Sequence, residues 1–165
     1  MTSLIGFPNP VNEKAARTVA AGVLTLAVVT LVLGTALDGS WLWLVVLLAL
    51  GFVARVLTGP KLSILGQLAT KVVAPRLGRP KLVAGPPKRF AQGVGATLTI
   101  AATAFLAAGY PAVTQALLGL VIIAAGLESI FAYCIGCAVF AVLMRMGLVP
   151  ETTCAACADI TLRSA

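Results

Sequence analysis

From Ala15 to Ala36 a single charge, Arg17, interrupts a run of small and aliphatic side chains. As a helix, a run of about 22 residues crosses a hydrocarbon core of about 30 Å. Three further apolar runs follow, from Trp41 to about Leu57, from Phe90 to Gly109, and from Ala112 onward. The chain is 60% hydrophobic and 10% charged, with mean hydropathy +1.06, whereas soluble domains carry about 25% charged residues. These runs predict an all-α integral membrane protein. It would be a four-helix transmembrane bundle over residues 1–149, followed by a short cysteine-containing tail over 150–165.

Local signals set the boundaries. Asn12 suits an N-cap, with Glu13 in the first turn at the positive end of the helix dipole. Ala15, Ala16, Ala20, Ala21 and Gly22 offer a small-residue face for close helix contact in lipid. Asp38-Gly39-Ser40 and Tyr110-Pro111 are too short for anything but antiparallel turns, and Trp41 and Trp43 fit an aromatic belt. The predicted spans are about 15–36, 41–57, 90–109 and 112–133, arranged as two hairpins. The last apolar stretch, Ala112 to about Val149, would reach about 57 Å as one straight helix. It must bend, and Gly136 is the expected place, giving an interfacial helix over about 134–147.

The connection 59–92 holds Lys61, Lys71, Arg76, Arg79, Lys81, Lys88 and Arg89 and no acidic residue. Leu62, Leu65, Leu68, Ala69, Val72 and Val73 recur at helical spacing, predicting an amphipathic interfacial helix over about 61–74. Pro75, Pro80, Pro86 and Pro87 predict no helix beyond it. Lys14, Arg17, this connection, Arg145 and Arg163 fall on one side of the predicted spans, and the two tight turns carry no positive charge. The positive-inside rule then puts both termini and the cysteines in the cytoplasm. The net charge of +7 is assigned to anionic lipid headgroups at 59–92. Nucleic acid is excluded as a partner because no reading motif or aromatic interleaving accompanies the charge. The first ten residues show neither a basic n-region nor a cleavage site, so the first run is expected to stay as a span.

The candidate chemistry lies late in the chain. The four cysteines, Cys134, Cys137, Cys154 and Cys157, are spaced C-x2-C-x16-C-x2-C, and there is no histidine. Three readings stand. The thiols can carry redox or sulfur-transfer chemistry, with a thioredoxin-like or sulfurtransferase-like soluble partner. They can hold Zn or Fe as a four-thiolate site in a scaffold or carrier. They can also be inert small hydrophobes, with no cofactor. Pro150-Glu-Thr-Thr-Cys154 resembles a capped helix start, which would lower the Cys154 pKa. Glu128 within a span calls for a partner. Arg55, at similar depth, is the expected one, and Arg17 is the alternative. On one continuous helix Cys134 lies about 9 Å beyond Glu128, rotated by about 120°, so the two should not share a face.

Five segments together carry a resemblance: Pro10-Val-Asn-Glu-Lys-Ala-Ala-Arg17, Leu62-Ser-Ile-Leu65, Val73-Ala-Pro-Arg-Leu-Gly78, Pro87-Lys-Arg-Phe-Ala-Gln92 and Tyr133-Cys-Ile-Gly-Cys137. Over roughly 8–147 the chain resembles a bacterial membrane family known as domain of unknown function 4395. The resemblance implies a four-span protein of the bacterial inner membrane with a thiol pair after the last span, and no reaction. The same plan is similar to that of membrane thiol oxidoreductases that pass electrons to quinone and of small subunits associated with thiosulfate oxidation. Those oxidoreductases work on the outer face, opposite to the topology expected here.

Overall fold

The structure is a computed structural model that describes residues 7–150 together with 153 and 154. Asn12 caps α1 (Glu13–Ala36), its side-chain oxygen accepting from the Lys14 N–H at 3.1 Å. The second span opens as a 3-10 turn, Gly39–Leu44, and continues as α2 (Val45–Thr58). The third is α5 (Gly85–Ala107) and the fourth α6 (Pro111–Phe131). Among the described residues four helices are thus long and apolar enough to cross a membrane. At their surface stand Val32, Leu47, Leu50, Ile100, Leu120 and Ile123, side chains suited to lipid rather than water.

Inside, the helices meet through small residues. Ala20, Ala27, Ala49, Ala96, Ala102 and Ala125 are buried, and a Cβ on Gly95 would overlap the Phe52 ring. Among the described residues three threonines, Thr30, Thr99 and Thr114, are fully buried and satisfied. Thr30 and Thr99 donate to the carbonyls of Leu26 and Gly95 at 2.7 and 2.8 Å, while Thr114 of α6 donates to Ala102 of α5 at 2.9 Å. A hydroxyl bonded this way can sit in an apolar bundle without an unmade hydrogen bond.

α5 is the central element, packed between α2 and α6, while α1 packs chiefly on α6. The first hairpin is therefore splayed. α1 meets the second span mainly along its 3-10 opening, where a Cβ on Gly34 would lie 2.6 Å from Leu42, and touches α2 much less. Toward the other end of that V the 59–84 connection packs on α1. It contains α3 (Ile64–Leu68), a π turn (Ala69–Val73) and α4 (Ala74–Arg76). Its buried face is Ser63, Gly66, Ala69 and Ala74, whereas Leu62, Ile64, Leu68 and Val72 are exposed. The amphipathic helix expected over 61–74 exists in outline, but its orientation differs from the predicted stripe. Small residues face the bundle because they allow close approach; of the predicted stripe Ala69 and Leu65 pack inward, and Leu62, Leu68 and Val72 are left for lipid.

Two other expectations are corrected. Pro86 and Pro87 do not prevent a helix: they occupy the first turn of α5, where the absent N–H has no intrahelical acceptor to lose. The third span accordingly begins at Gly85 instead of 90. The long apolar stretch bends at Ala132 (φ 57°) instead of Gly136. There the Tyr133 N–H donates to the Leu127 carbonyl at 3.1 Å and ends α6. α7 (Ile135–Arg145) then packs on α5. Gly136 serves that contact, since a Cβ would lie 2.5 Å from the Ala91 Cβ, and the Phe90 and Phe140 rings meet at a tilt of 55°, 5.6 Å between centroids.

The sequence also gave no hint of a short antiparallel pairing of β1 (Val11–Asn12) with β2 (Leu82–Val83). A 2.7 Å ion pair between Glu13 and Lys81 reinforces it. It ties the start of α1 to the end of the connection.

Candidate functional site: a buried charged layer beside a thiol pair

The buried charged side chains, with Gln92 and Ser63, gather at the end that carries the connection. Lys88 and Gln92 are one turn apart on α5 and so project from one face. Lys88 Nζ lies 2.6 Å from Glu128 Oε1, with both side chains almost wholly buried. Gln92 Oε1 accepts from Arg55 Nε at 2.8 Å, and Arg55 Nη1 donates to Ser63 Oγ at 3.2 Å. The Arg55 guanidinium also stands 4.6 Å from the centroid of the Phe52 ring, a cation–π contact.

The expected Arg55–Glu128 ion pair is therefore replaced. α5 lies between α2 and α6, so Arg55 and Glu128 approach it from its two neighbours. Its own Lys88 and Gln92 take up the two groups. Arg17, the alternative partner, donates instead to the backbone carbonyls of Ser129 at 3.0 and 3.2 Å and of Ile130 at 3.2 Å. That places a cation on the C-terminal turn of α6, where unsatisfied carbonyls carry partial negative charge.

The bend at Ala132 brings the thiols to this layer. Cys134 is the N-cap of α7, its Sγ accepting from the Cys137 N–H at 3.3 Å. Both cysteines are free and half-buried. The Cys137 thiol hydrogen-bonds the Cys134 sulfur and so lowers the Cys134 pKa below the usual thiol value. The nearby Lys88 charge and the Cys137 N–H act in the same direction, while burial and Glu128 oppose them. Cys137, which gives its proton to that bond and is buried, is pushed up. The pair is thus unequal, with Cys134 the better nucleophile.

Because the helix breaks, the straight-helix offset between Glu128 and Cys134 does not apply. Both line one cavity of about 220 Å³, together with Gln92, Gly95 and Val121. A second cavity, of about 270 Å³, lies between the N-terminal segment, α1, α2, the connection and α5, and is bordered by Arg55 and Lys88.

The second thiol pair is not brought to this layer as far as the described residues go. Cys154 is buried and disulfide-bonded, and Cys157 lies outside the described residues. The helix start expected at 150–154 is described only in part, as a turn in which the Thr153 N–H donates to the Pro150 carbonyl at 2.9 Å. Among the described residues no group of three or more His, Cys, Asp or Glu could hold a metal ion.

Sequence reasoning missed Lys88, Gln92 and Ser63. The signal for the first two was their i, i+4 spacing, masked by assigning Lys88 to a proline-broken loop. The arrangement defines a class: a multi-pass helical membrane protein with a buried ionic layer and a free Cys-x-x-Cys at one end of its bundle. Residues 11–145 match the family described as "Domain of unknown function (DUF4395)", and the chain belongs to that family. No curated protein and no solved structure matches.

Proposed function

We propose that Cys134 and Cys137 act as a dithiol–disulfide couple at the membrane surface, exchanging electrons with a thioredoxin-like soluble partner. The observation that carries this reading is the unequal thiol pair across the first turn of α7, with the Cys134 sulfur accepting from the Cys137 N–H and set near Lys88.

In the oxidising direction for this protein, the Cys134 thiolate attacks one sulfur of the partner's disulfide. A mixed disulfide forms and one partner thiolate leaves, taking up a proton. Cys137 then loses its proton and attacks the Cys134 sulfur. The intramolecular disulfide forms and the second partner thiol is released. Two electrons pass to the partner, and the reverse sequence oxidises a partner dithiol.

Lys14, Arg17, Lys61, Lys71, Arg76, Arg79, Lys81, Arg89 and Arg145 cluster at the same end of the bundle. That distribution supports a cytoplasmic location for the thiols, in an inner membrane of bacterial type. Trapping tests the reading. A Cys137→Ser protein should accumulate a mixed disulfide with a thioredoxin-like partner, and Cys134→Ser should not. Absence of any Cys134-linked adduct in Cys137→Ser membranes would overturn it.

A further inference from the structure

We infer that the cavity of about 270 Å³ bordered by Arg55 is a binding site for an anionic amphiphile, a phosphate or carboxylate head on an apolar body. Charge comes first. Arg55 and Lys88 are both buried, and the carboxylate near them is Glu128, which Lys88 holds at 2.6 Å. Among the described residues the other carboxylates are engaged elsewhere. Glu13 pairs with Lys81 at 2.7 Å, and Asp38 accepts from Ser40 at 2.6 Å in the turn at the opposite end. The layer holds two cations to one described carboxylate: Glu128 contacts Lys88 and acts on Arg55 only through space, which leaves one positive charge in excess. A buried charge in that state is costly, and an anion relieves it.

Hydrogen bonding points the same way. Arg55 is 4% exposed, and its Nη2 finds no acceptor among the described residues, although Nε and Nη1 are both engaged. With Nε and Nη1 taken, Nη2 is the donor left over, and a charge-assisted bond from it to one oxygen of a phosphate or carboxylate would satisfy it. Lys88, Gln92 and Asn12 border the same cavity, while the rest of its wall is largely apolar, with Phe7, Val11 and Val19. Bare phosphate would leave that wall uncovered, whereas an alkyl-bearing anion would fill it. The site stands on Arg55 and the splay of α1 from α2, and is independent of the thiol chemistry.

The test uses the full chain in neutral detergent. Calorimetric titration with octyl phosphate should show saturable binding, and inorganic phosphate should bind at least tenfold more weakly. Arg55→Gln should weaken octyl phosphate binding at least tenfold while melting in ligand-free detergent at or above the wild-type temperature. Ala16→Leu, which fills the cavity without touching a charge, should weaken it similarly, and it decides the matter if Arg55→Gln does not fold. Native mass spectrometry from phosphatidylglycerol nanodiscs separates the sources. One lipid retained by wild type and lost in the variants assigns a bilayer lipid, and octyl phosphate binding without retained lipid assigns a dissolved amphiphile. No saturable binding of either, equal affinity for inorganic phosphate, or undiminished binding in both variants would overturn the proposal.

Discussion

At the scale of single residues, the two buried cations have different roles and should respond differently to mutation. Lys88 and Glu128 form a contact ion pair with little solvent access. Removing either partner leaves the other charge unpaired, so Lys88→Met and Glu128→Gln should each destabilise by about 3–5 kcal/mol, and the double variant should recover much of the loss. Thermal or denaturant unfolding in detergent, set out as a double-mutant cycle, measures the coupling. Glu128→Gln combined with Arg55→Gln should be closer to additive, because α5 supplies the immediate partner of each. Coupling as large as that of the Lys88 cycle would restore the pairing first read from depth alone. Depth along a span is legible from distance to the turns, but which helix stands between two others is not.

The Cys134 pKa gives a second residue-scale test. Lowering it means a given thiolate fraction is reached at lower pH, so alkylation at Cys134 should reach half its maximal rate below the pH typical of a free thiol. The hydrogen bond from Cys137 is the largest cause, and Lys88 adds to it. Cys137→Ser and Lys88→Met should therefore each change the midpoint, with Lys88→Met moving it upward. An unchanged profile in Lys88→Met would show that the cation does not act on the thiol.

At the scale of elements, most of the chain was legible because apolar run length and capping are local properties. Asn12 as a cap, the Asp38–Ser40 turn and the four runs needed no tertiary information. The misplacements share a physical cause, because each small or ring-bearing residue had two possible uses. Pro86 and Pro87 can break a helix or open one. Gly136 can weaken a helix or admit a close neighbour, and its contact with Ala91 decides for the second. The bend fell to Ala132 instead, in a left-handed conformation that costs alanine more than glycine. Ala132→Gly should consequently raise stability by about 1 kcal/mol, while Gly136→Val should undock α7 from α5 and expose Cys137 to faster alkylation. Unfolding midpoints and alkylation rates check the two. A destabilising Ala132→Gly would contradict the assigned turn.

At the scale of the whole molecule, the splay of α1 from α2 creates both the room for the 59–84 connection and the second cavity. Neither was visible in a hydropathy pattern, since four runs of this length fit several helix orders. Contacts of α5 with α2, α6 and α7 select one order and collect the charged layer and the thiols at a single end. Single-cysteine labelling in a cysteine-free background checks the sidedness. A probe at Arg79 should react from the cytoplasm, and one at Ser40 from the opposite side. Reversal would place the thiols in the other compartment.

Equilibration of the purified protein in graded thiol–disulfide buffers, followed by mass-tagging of free thiols, reads the Cys134–Cys137 couple itself. With Cys154 and Cys157 replaced by serine, one two-electron transition is expected in which both tags are lost together, abolished by either Cys134→Ser or Cys137→Ser. Two thiols that stay taggable from the most reducing to the most oxidising buffer would contradict it.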